Sequence, residues 1–165
     1  MFKGTYRHKI DPKGRLPVPA AFRRGLGEGA SLVVVTPLDQ CLAAYPPSEW
    51  VRLEEQLRAL PAFSRPAKAL TRLLTSRAVD CELDVQGRIL LPAPLRAAAG
   101  LDREAFVIGV LNRFEVWAPE RWESFVADSE RLLEDASLDV QWPLPPAPPT
   151  EPRAAGHPQE KPKRV

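Results

Sequence analysis

Residues 1–10 alternate, with Phe2, Gly4, Tyr6, His8 and Ile10 on one side and Lys3, Thr5, Arg7 and Lys9 on the other. That is the pattern of a half-buried strand with one cationic face. His8 falls on the inward side, where a partly buried, hydrogen-bonded imidazole is expected. The alternation breaks at Asp11-Pro-Lys-Gly14. An Asp carboxylate accepts from backbone N–H groups two residues on, Pro12 fixes φ and Gly14 accepts a positive φ, so the chain is predicted to turn there. Arg15 to Val18 resumes a strand, in which Pro17 marks an edge or a bulge. Pro19 to Gly27 reads as a short helix carrying Arg23 and Arg24. Ser31 to Thr36 and Cys41 to Tyr45 are short apolar strands that pair as a hairpin through Pro37-Leu-Asp-Gln40. Ser48 is placed to cap a helix reaching about Leu60, with Trp50, Leu53, Leu57 and Leu60 at helical spacing and Glu54 four residues before Arg58. A shorter helix over 66–76 follows, with Leu70, Leu73 and Leu74 predicted to face inward.

The same events then recur. Ile-Asp-Pro-Lys-Gly-Arg-Leu-Pro-Val-Pro at 10–19 returns as Leu-Asp-Val-Gln-Gly-Arg-Ile-Leu-Leu-Pro at 83–92, so Asp11, Gly14 and Arg15 align with Asp84, Gly87 and Arg88 at an offset of 73 residues. At Tyr45/Trp117 and Trp50/Trp122 the offset is 72, one residue having been lost between. The second copy predicts a strand through Val79, Cys81 and Leu83, a turn at 84–87, a strand at 88–91 and a short helix from Pro94 ending at Gly100. Strands over 105–110 and 114–117 follow, and then a helix opened by Pro119 with Trp122, Phe125, Val126 and Leu133 on its apolar side. The chain is a tandem duplication of an α+β unit, at a period too long for a solenoid. The expected divisions are a first repeat at 1–62, a connecting helix at 63–76, a second repeat at 77–137 and a tail at 138–165. Eight prolines lie between Pro143 and Pro162. A segment that apolar-poor buries too little surface to offset its ordering entropy, so the tail is expected to be disordered, with polyproline character.

Composition changes the picture mainly through charge. The 165 residues are 44% hydrophobic with a formal net charge of +2, enough apolar content for a folded domain. Residues 1–24 hold seven Lys or Arg against Asp11 alone, whereas 25–142 hold 12 basic and 18 acidic side chains. A domain with its positive end at one copy of the motif suits an anionic partner such as nucleic acid. No apolar run approaches the roughly 20 residues of a spanning helix and no signal-peptide core opens the chain, which points to the cytoplasm.

Candidate chemistry is sparse. Cys41 and Cys81 stand 40 residues apart with no Cys-x-x-Cys pair, so buried thiols are expected rather than a metal site or disulfide. The only histidines are His8 and His157, and neither a phosphate-cradling Gly-rich loop nor paired catalytic carboxylates stand out, so neither an enzyme nor a cofactor is expected. The Asp-x-x-Gly-Arg motif leaves two uses for its arginine open. Arg15 and Arg88 could pair with Asp11 and Asp84 to lock each turn and join the copies. Alternatively, a cationic hairpin with Lys13, Gly14 and Arg15 at its tip could read guanine in a major groove. The first copy carries Lys13 where the second carries Gln86, so the first is expected to bind anions and the second, with Asp84 and Gly87, to be weighted toward structure.

The paired motif, with Met-Phe-Lys-Gly-Thr-Tyr-Arg-His-Lys-Ile-Asp-Pro-Lys-Gly-Arg-Leu at the start and Tyr-Pro-Pro-Ser-Glu-Trp and Phe-Glu-Val-Trp-Ala-Pro-Glu-Arg-Trp later, closely resembles the bacterial MraZ transcriptional regulators over about residues 1–135. The resemblance implies a small β-barrel of two interlocked swapped hairpins, AbrB-like, supplied by the two copies within one chain. It further implies rings of chains binding direct repeats in promoter DNA of a cell-division and cell-wall gene cluster, and so a place at the nucleoid. Lys13, Arg15 and Arg88 match the motif positions expected to face DNA, while charge adds Arg7, Lys9, Arg23 and Arg24 as backbone contacts. The competing reading is a structural or adaptor ring whose partner is a protein, met through the proline-rich tail.

Overall fold

A computed structural model describes residues 1–134 apart from positions 28 and 30; the expected tail at 138–165 lies outside the described residues. The order of elements is β1 (Phe2–Lys9), β2 (Arg15–Pro17), α1 (Ala20–Gly25), β3 (Leu32–Leu38), β4 (Cys41–Tyr45), α2 (Pro47–Arg58), α3 (Arg65–Ser76), β5 (Val79–Glu82), β6 (Arg88–Leu90), α4 (Ala93–Ala99), β7 (Glu104–Leu111), β8 (Arg113–Trp117) and α5 (Pro119–Glu134). Apart from α3, the second half repeats the element order of the first, as the duplicated sequence predicts.

A six-stranded sheet runs in the order β1-β7-β8-β4-β3-β5, and β2 and β6 form a separate two-stranded ladder. Within each repeat the last two strands pair as a hairpin, Val34 with Tyr45 to Leu38 with Cys41, and Phe106 with Trp117 to Val110 with Arg113. The first strand of each repeat pairs instead with the other repeat. β1 runs antiparallel to β7, with His8 opposite Ala105, and β5 runs antiparallel to β3, with Cys81 opposite Val33. These two pairs are equivalents of each other under the internal repeat.

The core is therefore shared. Phe2, Leu16, Phe22, Val33 and Leu42 from the first repeat join Ile89, Leu91, Leu95, Val107, Phe114 and Val116 from the second in one buried cluster. Phe22 is its hub, with ring centroids 5.5 Å from Phe2 and 5.6 Å from Phe114. Each such ring removes a large apolar area from water, and the edge-on Phe2–Phe22 pair adds contact energy of roughly 1 kcal/mol. The outer face of the sheet, across β4, β8 and β7, carries a smaller cluster of Cys41, Trp117 and Ile108. Beside it Glu115 accepts from Arg113 and, at 3.0 Å, from the Trp117 indole N–H. Thr36, fully buried, donates at 2.8 Å to the Leu74 carbonyl near the end of α3, satisfying one of the terminal carbonyls a helix leaves unpaired.

Several local expectations need correction. β3 continues through Pro37 and Leu38, and the loop is only Asp39–Gln40, with Asp39 at φ 52°. Pro37 lies past Val35, the last β3 residue paired with β5, so its missing N–H falls where β3 has a strand on one side only. The turn into α2 has Pro46 at the cap position and Pro47 in the first turn, and no side chain caps it, Ser48 included; α3 has a true cap, the Ser64 hydroxyl accepting from Ala67 N–H. Leu74 is buried as predicted, but Leu70 and Leu73 are 45% and 51% exposed and Leu133 is 72% exposed. Helical spacing fixes which side chains share a face, not whether a second element covers it. Both cysteines are free and buried as expected, and burial pushes the Cys81 thiol up to about 11, which keeps it protonated and unreactive.

Candidate nucleic-acid interface

Each motif turn is built by its aspartate. In the first, the Asp11 carboxylate accepts from Lys13 N–H and Arg15 N–H, both at 2.9 Å, through one oxygen and from Arg15 Nε at 2.6 Å through the other. The second repeats this bond for bond: Gln86 N–H at 2.9 Å, Arg88 N–H at 3.0 Å and Arg88 Nε at 2.8 Å, all to Asp84. Backbone bonds from Gly14 to the Asp11 carbonyl and from Gly87 to the Asp84 carbonyl, each 2.8 Å, close the two turns. Gly14 at φ 88° and Gly87 at φ 73° supply the left-handed residue each turn requires. Both carboxylates are held below the usual carboxylate range, Asp11 chiefly by the Arg15 backbone N–H and Asp84 chiefly by the Arg88 guanidinium.

The two turns are brought side by side. In the β2–β6 ladder Arg15 stands opposite Leu90 and Pro17 opposite Arg88. Two equivalent bonds extend it, Val18 N–H to the Gly87 carbonyl and Leu91 N–H to the Gly14 carbonyl, each 2.9 Å. One arginine from each short helix then reaches across to the other repeat. Arg23 donates to the Gln86 carbonyl at 3.1 Å and lies against Gly87. Its equivalent Arg96 donates through Nε to the Leu91 carbonyl at 3.1 Å and lies against Gly14.

The candidate residues fall into distinct places. Lys13 is exposed at the tip of the first turn, at the position that Gln86 holds in the second. Arg15 and Arg88 are half-buried, with side chains 35% and 25% exposed, so each combines an ion pair to its own aspartate with an outward edge. Gly14 is buried under Arg96 and serves the turn. Lys9 and Arg7 lie on the exposed side of β1, where Arg7 forms an ion pair with Glu104 at 2.5 Å and sits over the Phe106 ring. Arg23 and Arg24 are exposed on α1. Sequence reasoning missed Arg96, although the 73-residue offset from Arg23 marks it. His8 is inward, but its Nε2 is buried with no hydrogen-bond partner, so the expected bond is not made there; burial lowers its pKa and favours the neutral ring.

Among the described residues no group of three His, Cys, Asp or Glu side chains is placed to hold a metal ion, and no helix is long and apolar enough to cross a membrane. The arrangement is a duplicated α+β protein presenting two adjoining, aspartate-locked turns amid cations. A family model for the MraZ protein, described as antitoxin-like, matches it twice, over residues 1–73 and 74–140. Three proteins named "Transcriptional regulator MraZ" show the similarity over most of both chains. That of Limosilactobacillus reuteri (strain DSM 20016) is 45% identical over 143 residues, covering 84% of this chain and 99% of the relative. That of Ligilactobacillus salivarius (strain UCC118) is 47% identical over 140 residues, covering 85% and 96%. That of Natranaerobius thermophilus is 44% identical over 140 residues, also covering 85% and 96%. The chain belongs to the MraZ family, whose named relatives are transcriptional regulators and not enzymes.

Proposed function

We propose that this protein is a sequence-specific DNA-binding transcriptional regulator that acts as a ring of chains on direct repeats in promoter DNA, controlling a cell-division and cell-wall gene cluster at the nucleoid. The observation that carries this reading is the juxtaposition of the two motif turns in one ladder, with Lys13 exposed at the tip of the first. In this reading Lys13 and Arg15 face the major groove and Arg88 supports them from the second turn. Arg15 can pair with Asp11 through Nε while its remaining N–H groups stay directed outward to a base edge. Arg7, Lys9, Arg23 and Arg24 supply phosphate contacts, and Gly14 lets the turn form beneath them. The exchange of β1 and β5 between repeats, together with the β2–β6 ladder, supports reading the fold as two interlocked hairpins of the AbrB-like type. Weak contacts from several chains of a ring add on one duplex through effective concentration.

The test is a mobility-shift titration of the full chain against duplex DNA from upstream of its own gene. Affinity is expected to fall by roughly a thousandfold between about 50 and about 200 mM salt if about six phosphates are neutralised. A flat salt response contradicts the reading.

A further inference from the structure

We infer that the cleft beside the first motif turn is a phosphoester-binding site, one that the second repeat does not share. The cleft holds about 640 Å³ between the end of β1 and the loop from α4 to β7, a volume within the roughly 300–1,000 Å³ of small-molecule sites. Three cations line it, Lys9, Arg96 and Arg103, together with three carboxylates, Asp11, Asp102 and Glu104. Two of those carboxylates are already taken. Asp11 is filled by the N–H groups of its own turn and by Arg15 Nε, and Glu104 is paired with Arg7 at 2.5 Å. The cations are not. Lys9 and Arg103 are exposed and form no ion pair among the described residues. Arg96 uses Nε on the Leu91 carbonyl, which leaves its two terminal nitrogens without a partner among the described residues. Only the exposed Asp102 then opposes the three cations, so the cleft carries an excess of positive charge.

The internal repeat supplies the comparison. The backbone of this joint is built twice: Ile10 N–H donates to the Arg103 carbonyl at 2.8 Å, and Leu83 N–H to the Ser31 carbonyl at 2.6 Å. Lys9 stands opposite Glu104 in one ladder, and Glu82 opposite Leu32 in the other. These matches put Glu82 in the place of Lys9 and Ser31 in the place of Arg103. The remaining cation there, Arg23, is bonded to the Gln86 carbonyl. Cations that served to hold the joint together would be needed in both repeats. They are gathered in one, where their mutual repulsion is a cost unless an anion joins them. Guanidinium forks and a lysine ammonium are the groups that hold phosphate oxygens, and the volume leaves room for the organic group an ester carries. Asp11 belongs to both the cleft and the turn, so an occupant lies against the turn that faces DNA in the reading above. Such a phosphoester has two sources, a free phosphorylated metabolite or the backbone of the bound duplex, and only the second rests on the DNA-binding reading.

The test uses the full chain, its Arg103→Ala variant and, as the matched substitution in the other repeat, Ser31→Ala, each shown to be folded by circular dichroism. Adenosine monophosphate is titrated into each protein by calorimetry at constant ionic strength, and mobility shifts on upstream DNA are measured from about 50 to about 200 mM salt. If the ligand is free, the unmodified protein and Ser31→Ala are expected to bind one adenosine monophosphate per chain, and Arg103→Ala to bind it at least about tenfold more weakly. If the phosphate is that of the duplex, adenosine monophosphate does not bind, but Arg103→Ala lowers the salt slope by about one and Ser31→Ala leaves it unchanged. Either result supports the site and names its source. An Arg103→Ala protein that matches the unmodified one in both measurements overturns the inference, as does a Ser31→Ala protein altered to the same extent. An unmodified protein that fails to bind the DNA contradicts the DNA-binding reading instead; the titration then decides the cleft, binding lost in Arg103→Ala supporting it and no binding overturning it.

Discussion

Arg23 donates a 3.1 Å hydrogen bond to the carbonyl of Gln86, 63 residues further along the chain. Arg96 lies against Gly14 of the first repeat, while its own hydrogen bond, 3.1 Å to the Leu91 carbonyl, stays within the second. Each repeat thus braces the motif turn of the other with a side chain from its short helix. Together with the Val18–Gly87 and Leu91–Gly14 backbone bonds, this makes the two turns a single structural unit.

The glycines of the two turns differ in what confines them. Both adopt positive φ, but a Cβ at Gly14 would stand 2.9 Å from the Leu91 carbonyl oxygen, which is backbone in the ladder. A Cβ at Gly87 would meet the far end of the Arg23 side chain, which can swing away. Gly14→Ala and Gly87→Ala should each cost on the order of 1–3 kcal/mol, with Gly14→Ala the more costly. Urea midpoints of the two variants check the ranking, and equal or reversed midpoints would contradict it.

Acid should loosen the turns. Asp11 and Asp84 have folded pKa values below their unfolded ones. Their stabilising effect is therefore complete above about pH 4 and is lost as pH falls through the depressed folded values. Asp11→Asn/Asp84→Asn removes both titrations and both ion pairs. The expected result is a lower Tm at neutral pH and a smaller fall in Tm between about pH 5 and about pH 3 than in the unmodified protein. Melting curves across that range decide it; parallel falls would place the acid sensitivity elsewhere.

The chemistry of each turn was legible in the sequence because it is local: Asp, Gly and Arg within five positions determine a carboxylate-capped turn wherever it sits. The Cys41–Tyr45 strand and the Glu54–Arg58 pair were legible for the same reason. What local pattern could not convey was partnership. Alternation shows that Phe2 and Ile10 face inward, but nothing in residues 1–10 says that β1 lies against β7 rather than within its own repeat. Leu70 and Leu73 share a helical face that none of the described residues covers, and the sequence has the same spacing either way. Arg96 could have been found by carrying Arg23 forward through the repeat, but the reason for its placement, an approach to Gly14, exists only in three dimensions.

The central claim is that the first turn reads DNA, and the most direct measurement is a mobility shift on upstream repeat-bearing DNA with Arg15→Ala, Lys13→Ala and Gln86→Ala, each shown to be folded by circular dichroism. Arg15→Ala is expected to weaken binding at least about tenfold and to relax base preference, and Lys13→Ala to weaken binding and lower the salt slope by about one. Gln86→Ala, at the matching position of the second turn, is expected to bind like the unmodified protein. A folded Arg15→Ala protein that binds that DNA with undiminished affinity would contradict the account.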